Sequence, residues 1–164
     1  MDYPPLSAAL SVQLGLVEQS GDGAFWYSPC EVTLRSGQIV DRVYVAEAKP
    51  FFEYWGADPN RPTLAVEDVA AIRSSPSRLP VELANKLYCA GESGMGYSLF
   101  TIVMRDGTRL PIETGNAVDF PNWPAGVDPA HAVDVLPHVG RENFTSRKPD
   151  PTQSSASYYW CLYS

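Results

Sequence analysis

The stretch Ser98–Thr114, SLFTIVMRDGTRLPIET, leaves little freedom of local structure. Ser98 to Met104 is short, rich in β-branched and aromatic residues, and bounded by Gly96 and by Arg105-Asp106-Gly107, which is a strand signal followed by a turn signal. Leu99, Thr101 and Val103 face one way, and Phe100, Ile102 and Met104 the other. Both faces are mostly apolar, so the strand is expected to be central. Asp106-Gly107 reads as a two-residue type I′ hairpin turn. The return strand, Thr108–Thr114, carries Pro111, which cannot donate to a ladder and so belongs on an edge. A second hairpin, VTLRSGQIV (32–40), turns at Ser36-Gly37, and polar Asp41 and Arg42 mark a bulge or bend after it. The likeness between the two hairpins is faint and does not by itself establish a duplication.

The glycine loop before the strand, GESGMG (91–96), fits neither a nucleophile elbow nor a phosphate loop. Met95 stands where G-x-S-x-G needs glycine, and a strand rather than a helix follows. Gly91 reads as the C-terminal cap of a helix. That helix, Pro80–Ala90, is amphipathic through Val81, Ala84, Leu87 and Tyr88, with Ser77 or Leu79 as its N-cap. Leu6, Leu10, Leu14 and Val17 fit a second helical stripe, with Ser7 as N-cap, and a strand over Val12–Val17 is the competing reading. Leu64–Ile72 reads as a strand with a helical turn at Glu67-Asp68, Ala117–Phe120 as a short strand, and Ala130–Leu136 as a short helix opened by Asp128-Pro129.

Fifteen prolines and twelve glycines favour short elements and many turns. The expected fold is therefore α+β and mainly β: one domain, 1–164, built as a bent antiparallel sheet or small β-barrel with one amphipathic helix packed on it. Residues 140–157 are polar and read as a mobile segment. The terminal YYWCLYS alternates and reads as a strand returning to the sheet or a sticky segment for a partner, the strand being favoured since an exposed apolar edge is a liability.

Nineteen acidic against twelve basic residues give a net charge of −7. That argues against a nucleic-acid partner and suits a basic protein partner. Cys30, Cys89 and Cys161 are widely spaced and odd in number, which reads as partly buried thiols in a reducing cytoplasm rather than a disulfide or zinc framework. No basic residue precedes Arg35 and no apolar run approaches ~18 residues, so a cytoplasmic protein without a membrane partner is expected. Asn143-Phe144-Thr145 matches a glycosylation sequon, which that expectation reads as chance.

Three sets of residues are candidates for function. Phe51, Phe52, Tyr54 and Trp55, in the loop 49–62, either cap the open end of a barrel or present a ligand- or partner-binding surface, and Tyr97 beside the glycine loop joins them. His131, Asp134 and His138, with Asp128 and Glu142 nearby, are proper ligands for a single divalent metal or an acid–base pair. No other cofactor is expected. A Cys–His pair and a carboxylate pair from Glu92, Asp106 and Glu113 are weaker alternatives. The leading expectation is a small acidic binding protein, such as an inhibitor or immunity-type protein. A hydrolase using the His131–His138 segment is the alternative.

Overall fold

A computed structural model of the chain describes residues 3–140, 144–145 and 158–164. Strands hold 37% of the chain and helices 22%, so the α+β, mainly-β class expected from composition is the class observed. The strands fall in three sheets rather than one, and among the described residues none closes into a barrel. Among the described residues there are three α-helices, two at the helical stripes expected at Leu6–Val17 and Pro80–Ala90 and one where a loop was expected. The expectation of a mobile segment falls almost wholly on 141–143 and 146–157, outside the described residues. The chain divides into two compact units: Met1–Pro76 with Ala156–Ser164, and Ser77–Ser155.

The first unit opens with α1 (Ala8–Gly15), whose N-cap Ser7 accepts from the Leu10 N–H at 3.3 Å. A small antiparallel pair, β1 (Ser20–Gly21) and β2 (Trp26–Tyr27), follows. Gly21 is required there, because an added Cβ would lie 2.3 Å from the Phe25 carbonyl oxygen. The main sheet contains β3 (Pro29–Leu34), β4 (Ile39–Glu47), β5 (Thr63–Leu64), β6 (Val69–Ser74) and the C-terminal strand β10 (Tyr159–Tyr163), in the order β5-β10-β4-β3-β6. β3 runs antiparallel to β4, to which a short hairpin joins it, and to β6, whereas β10 pairs parallel with both β4 and β5. Cys30 pairs with Val43 and Val32 with Val40, so Asp41 and Arg42 both stand opposite Glu31. This is the bulge expected at those residues, and Arg42 takes a positive φ of 60°.

Strand alternation divides that sheet into two faces. Val32, Val43, Val45 and Cys161 pack with Leu10 of α1 and with Val66. Tyr44 and Trp160 point the other way, toward Phe51 of α2 (Ala48–Trp55). α2 corrects the reading of 49–62 as a loop throughout. Pro50 sits in the first helical turn, where a missing N–H is harmless, and Gly56 (φ 68°) ends the helix. The strand expected over Leu64–Ile72 is divided into β5, a 3-10 turn (Val66–Asp68) and β6.

The second unit holds α3 (Val81–Ala90), β7 (Ser98–Met104), β8 (Arg109–Thr114), a 3-10 turn (Pro129–His131) and β9 (Ala132–His138). The cap residue of α3 is Pro80 rather than Ser77 or Leu79, and Gly91 ends it as expected. β7 is central in the order β8-β7-β9, with Phe100 and Ile102 fully buried, and Pro111 lies on an edge strand. The helix expected over 130–136 is instead the 3-10 turn and β9. Ala132 and Val135 enter the core beside Ala84 and Leu87 of α3, and pairing with the free edge of β7 overrides the local helix-start signal. Ala117–Phe120 is buried but is not a strand.

The two units repeat one frame: helix, hairpin, 3-10 turn, strand. In each hairpin a β-turn closes on a glycine with positive φ, Gly37 (89°) and Gly107 (86°). The Gly37 N–H donates to Leu34 O at 2.8 Å, and the Gly107 N–H to Met104 O at 2.9 Å. Only the glycine has positive φ in either turn, so both are type I turns with a glycine bulge, and the type I′ expectation at Asp106-Gly107 is corrected. The arginine after each first strand donates its backbone N–H to the last residue of the 3-10 turn: Arg35 to Asp68 O at 2.7 Å, Arg105 to His131 O at 2.8 Å. The register of the third strand slips at the same place, between Thr33 and Leu34 and between Val103 and Met104. α1 packs on β6 as α3 packs on β9.

At both bulge glycines an added Cβ meets open space, so substitution costs only left-handed backbone strain. Gly37→Ala and Gly107→Ala are each expected to lose about 1–2 kcal/mol in urea unfolding. A near-zero cost at one site would break the equivalence. Trp160→Ala, which empties the centre of the aromatic layer, is expected to cost about 3–5 kcal/mol in the same assay.

Candidate functional site

The residues of α2 divide by helical position. Phe51 is buried against Trp160, with ring centroids 4.6 Å apart. Trp55, one turn on, is half-buried 5.6 Å from the same indole and 6.3 Å from Tyr27. Its Nε1 is buried and meets no acceptor among the described residues. Phe52 lies against Tyr3 at 5.6 Å. Tyr54 is 51% exposed and stacks on Phe25 at 5.3 Å. The expected aromatics therefore sit on a sheet face rather than at a barrel mouth, three of them wholly or partly packed and one turned outward. Tyr97 belongs to the other unit, where it pairs with Gly94 in the loop before β7.

The outward residue that sequence reading missed is Trp26, 50% exposed. It lies on β2 between Phe25 and Tyr27, which turn in toward Trp160 at 6.2 and 6.3 Å. Strand alternation within Phe25-Trp26-Tyr27 was the available signal. Tyr54 is thus stacked on a layer of packed rings, and Trp26 is held between two residues of that layer by the chain itself. Arg61 braces that layer from its other end: its guanidinium donates to Gly56 O at 2.9 Å and lies 5.0 Å from the Phe51 ring centroid.

Charge in this unit is one-sided, with ten acidic residues against five basic ones. Arg35 donates to Glu67 O at 2.6 Å. Arg73 donates through Nε to Glu31, also at 2.6 Å. Arg42 is half-buried, and desolvation holds its guanidinium below the usual range. With Arg61 also engaged, Glu47, Glu53 and Asp58 remain exposed close in sequence to Tyr54.

The His131–His138 segment is stretched out rather than gathered. β9 places His138 about 20 Å along the strand from His131, at ~3.3 Å per residue. His131 lies beside Asp128, Nε2 to Oδ2 at 3.8 Å. Asp134 accepts from Lys86 Nζ of α3 and from the Val135 N–H, both at 2.8 Å, and these bonds hold its carboxyl below the usual range. It caps the edge of β9 much as Gln13 of α1, accepting from the Ile72 N–H at 2.7 Å, caps the edge of β6. The His138 ring is 5.0 Å from Phe144. Glu142 and Asn143 lie outside the described residues. Among the described residues no three His, Cys, Asp or Glu side chains are arranged to hold a metal.

The glycine loop is structural. The Ser93 hydroxyl brackets Leu99, accepting from its N–H at 2.7 Å and donating to its carbonyl at 3.1 Å. Glu92 accepts from the Gly96 N–H at 2.6 Å. Asp106 in the turn and Glu113 opposite Leu99 stand toward opposite ends of the β7–β8 hairpin. Cys30 and Cys161 are buried and Cys89 is exposed.

Comparison of the chain with protein-family models, curated proteins and solved structures returned no match. No helix among the described residues is long and apolar enough to cross a membrane.

Burial pushes the Cys161 thiol from 9.0 up to about 12, with Glu67 adding to the effect. The stability this gives is fully present below the unfolded value and is lost as pH rises toward the folded one. Cys161→Ala is therefore expected to flatten the alkaline decline in stability above pH 9. In the native protein at pH 8, iodoacetamide should modify Cys89 first and reach Cys161 only on unfolding.

Proposed function

We propose that this chain is a small acidic cytoplasmic protein that binds a basic protein partner through the Trp26–Tyr54 surface of its first unit, in the manner of an inhibitor that masks a basic face. The observation that carries this reading is two half-exposed aromatics, Tyr54 stacked on Phe25 of a packed aromatic layer and Trp26 next to Phe25 in the chain. Trp and Tyr are the residues that most often dominate binding energy, and fixing them beforehand lowers the entropic cost of association. The charge of the unit supports the sign of the partner: it carries ten acidic residues against five basic ones, and Glu47, Glu53 and Asp58 stay exposed close in sequence to Tyr54, against one exposed lysine there, Lys49, so the net field of the unit attracts a positive surface.

The test is quantitative affinity capture from the source cells, comparing the native chain with a Trp26→Ala, Tyr54→Ala variant. A stoichiometric basic protein is expected with the native chain, its association slowing as salt rises. The double variant should weaken that complex by at least about 2 kcal/mol while its melting temperature stays close to native. Retention of the same partner by a folded double variant would overturn the surface assignment.

A further inference from the structure

We propose that the second unit carries a site for a cationic head on an aliphatic stem, such as an alkylguanidinium or alkylammonium group, in the cavity between its hairpin turn and its 3-10 turn. The cavity is about 330 Å³, at the small end of ligand pockets and large enough for one long side chain. Met104, Leu110 and Val127 supply apolar walls, and Asp106, Asp128 and His131 supply polar ones. Asp106 and Asp128 each use Oδ1 on a backbone N–H, of Thr108 and Ala130, both at 2.9 Å. Among the described residues the second oxygen of Asp128 has only the 3.8 Å approach of His131 Nε2. Arg105 stands at the cavity, so the formal charge around it is −1 with His131 neutral.

The repeated frame provides an internal control. At the positions of Asp106, Asp128 and His131 the first unit has Ser36, Ala65 and Asp68. Ser36 performs the same turn bond, accepting from the Gln38 N–H at 3.3 Å, and the 3-10 turn there begins after Ala65 with no side-chain cap. The frame therefore folds without either carboxylate. Each carboxylate accepts an N–H of its turn, a role the first unit gives to a hydroxyl in one turn and to no side chain in the other; a pair of carboxylates at the edge of an apolar cavity is the complement of a cation whose stem is greasy.

The experiment is amide-resolved NMR titration of the full chain with n-butylguanidinium, its neutral isostere N-butylurea, acetate, and the peptide acetyl-Gly-Arg-Gly-amide. Saturable shifts confined to Arg105–Thr108 and Val127–His131 are expected with the two guanidinium probes and not with N-butylurea or acetate. Asp106→Ser and Asp128→Ala, which copy the first unit, should each weaken binding about tenfold. Their unchanged spectra elsewhere would show that the fold survives. Tighter binding of the peptide would point to a partner's side chain, and tighter binding of the free probe to a small molecule. No saturation, equal binding of N-butylurea, preference for acetate, or undiminished binding by either folded variant would overturn the site.

Discussion

Trp160 is the contact on which the first unit depends. Its indole meets Phe51, Tyr44 and Trp55 within 5.6 Å, and among the described residues its strand is the only sheet neighbour of β5. If β10 were removed, β5 would have no ladder partner and the buried face of β4 would be bared. α2 would lose the surface that its Phe51 and Trp55 pack against. A seven-residue segment at the far end of the chain therefore completes both the hydrogen bonding and the packing of the sheet. The same layer holds Phe25 and Tyr27, and through them the positions of Trp26 and Tyr54, so the proposed binding surface inherits its rigidity from a core residue.

The second unit solves the same problem with fewer parts. Its sheet has three strands, closed on one side by α3 and by the core around Phe100 and Ile102. What the two units share is a set of backbone solutions. A hairpin ends in a type I turn and glycine bulge, an arginine N–H is received by the 3-10 turn, and a side chain satisfies the edge of the third strand. Where they differ is side-chain chemistry on that frame. Gln13 and Asp134 do one job with different groups, from a helix in one case and from the strand itself in the other. Such substitution is possible because the frame asks only for an acceptor at that place.

Much of this was legible locally. Both hairpins, the α3 helix, the bulge at Asp41–Arg42 and the terminal strand follow from residue type and alternation over a few positions. The turn type was misjudged because Asp-Gly is compatible with two hairpin geometries, and Thr108 decides between them only through its hydrogen bond to Met104. α2 was hidden because four aromatics in five positions show no single apolar face; the helix sorts them onto three sides. β9 was hidden because Asp128-Pro129 starts a 3-10 turn as readily as an α-helix, and only the open edge of β7 makes a strand the lower-energy continuation. Of the candidate site, Phe51, Phe52, Tyr54 and Trp55 were legible as rings that cannot all face inward, without the choice of Tyr54. Strand alternation sets Trp26 opposite to Phe25 and Tyr27, but which side is exposed depends on where β2 lies relative to the packed rings.

By itself the sequence determined the mainly-β class, the acidic balance and the short-range elements, since turn chemistry and strand alternation act over a few residues. Tertiary structure alone decided that the chain forms two units on a repeated frame and that its last strand pairs parallel with β4. It also decided that His131, Asp134 and His138 are strung along a strand rather than gathered. These depend on contacts between residues distant in the chain, where many pairings are compatible with the same local signals and the choice falls to burial and to the satisfaction of backbone hydrogen bonds.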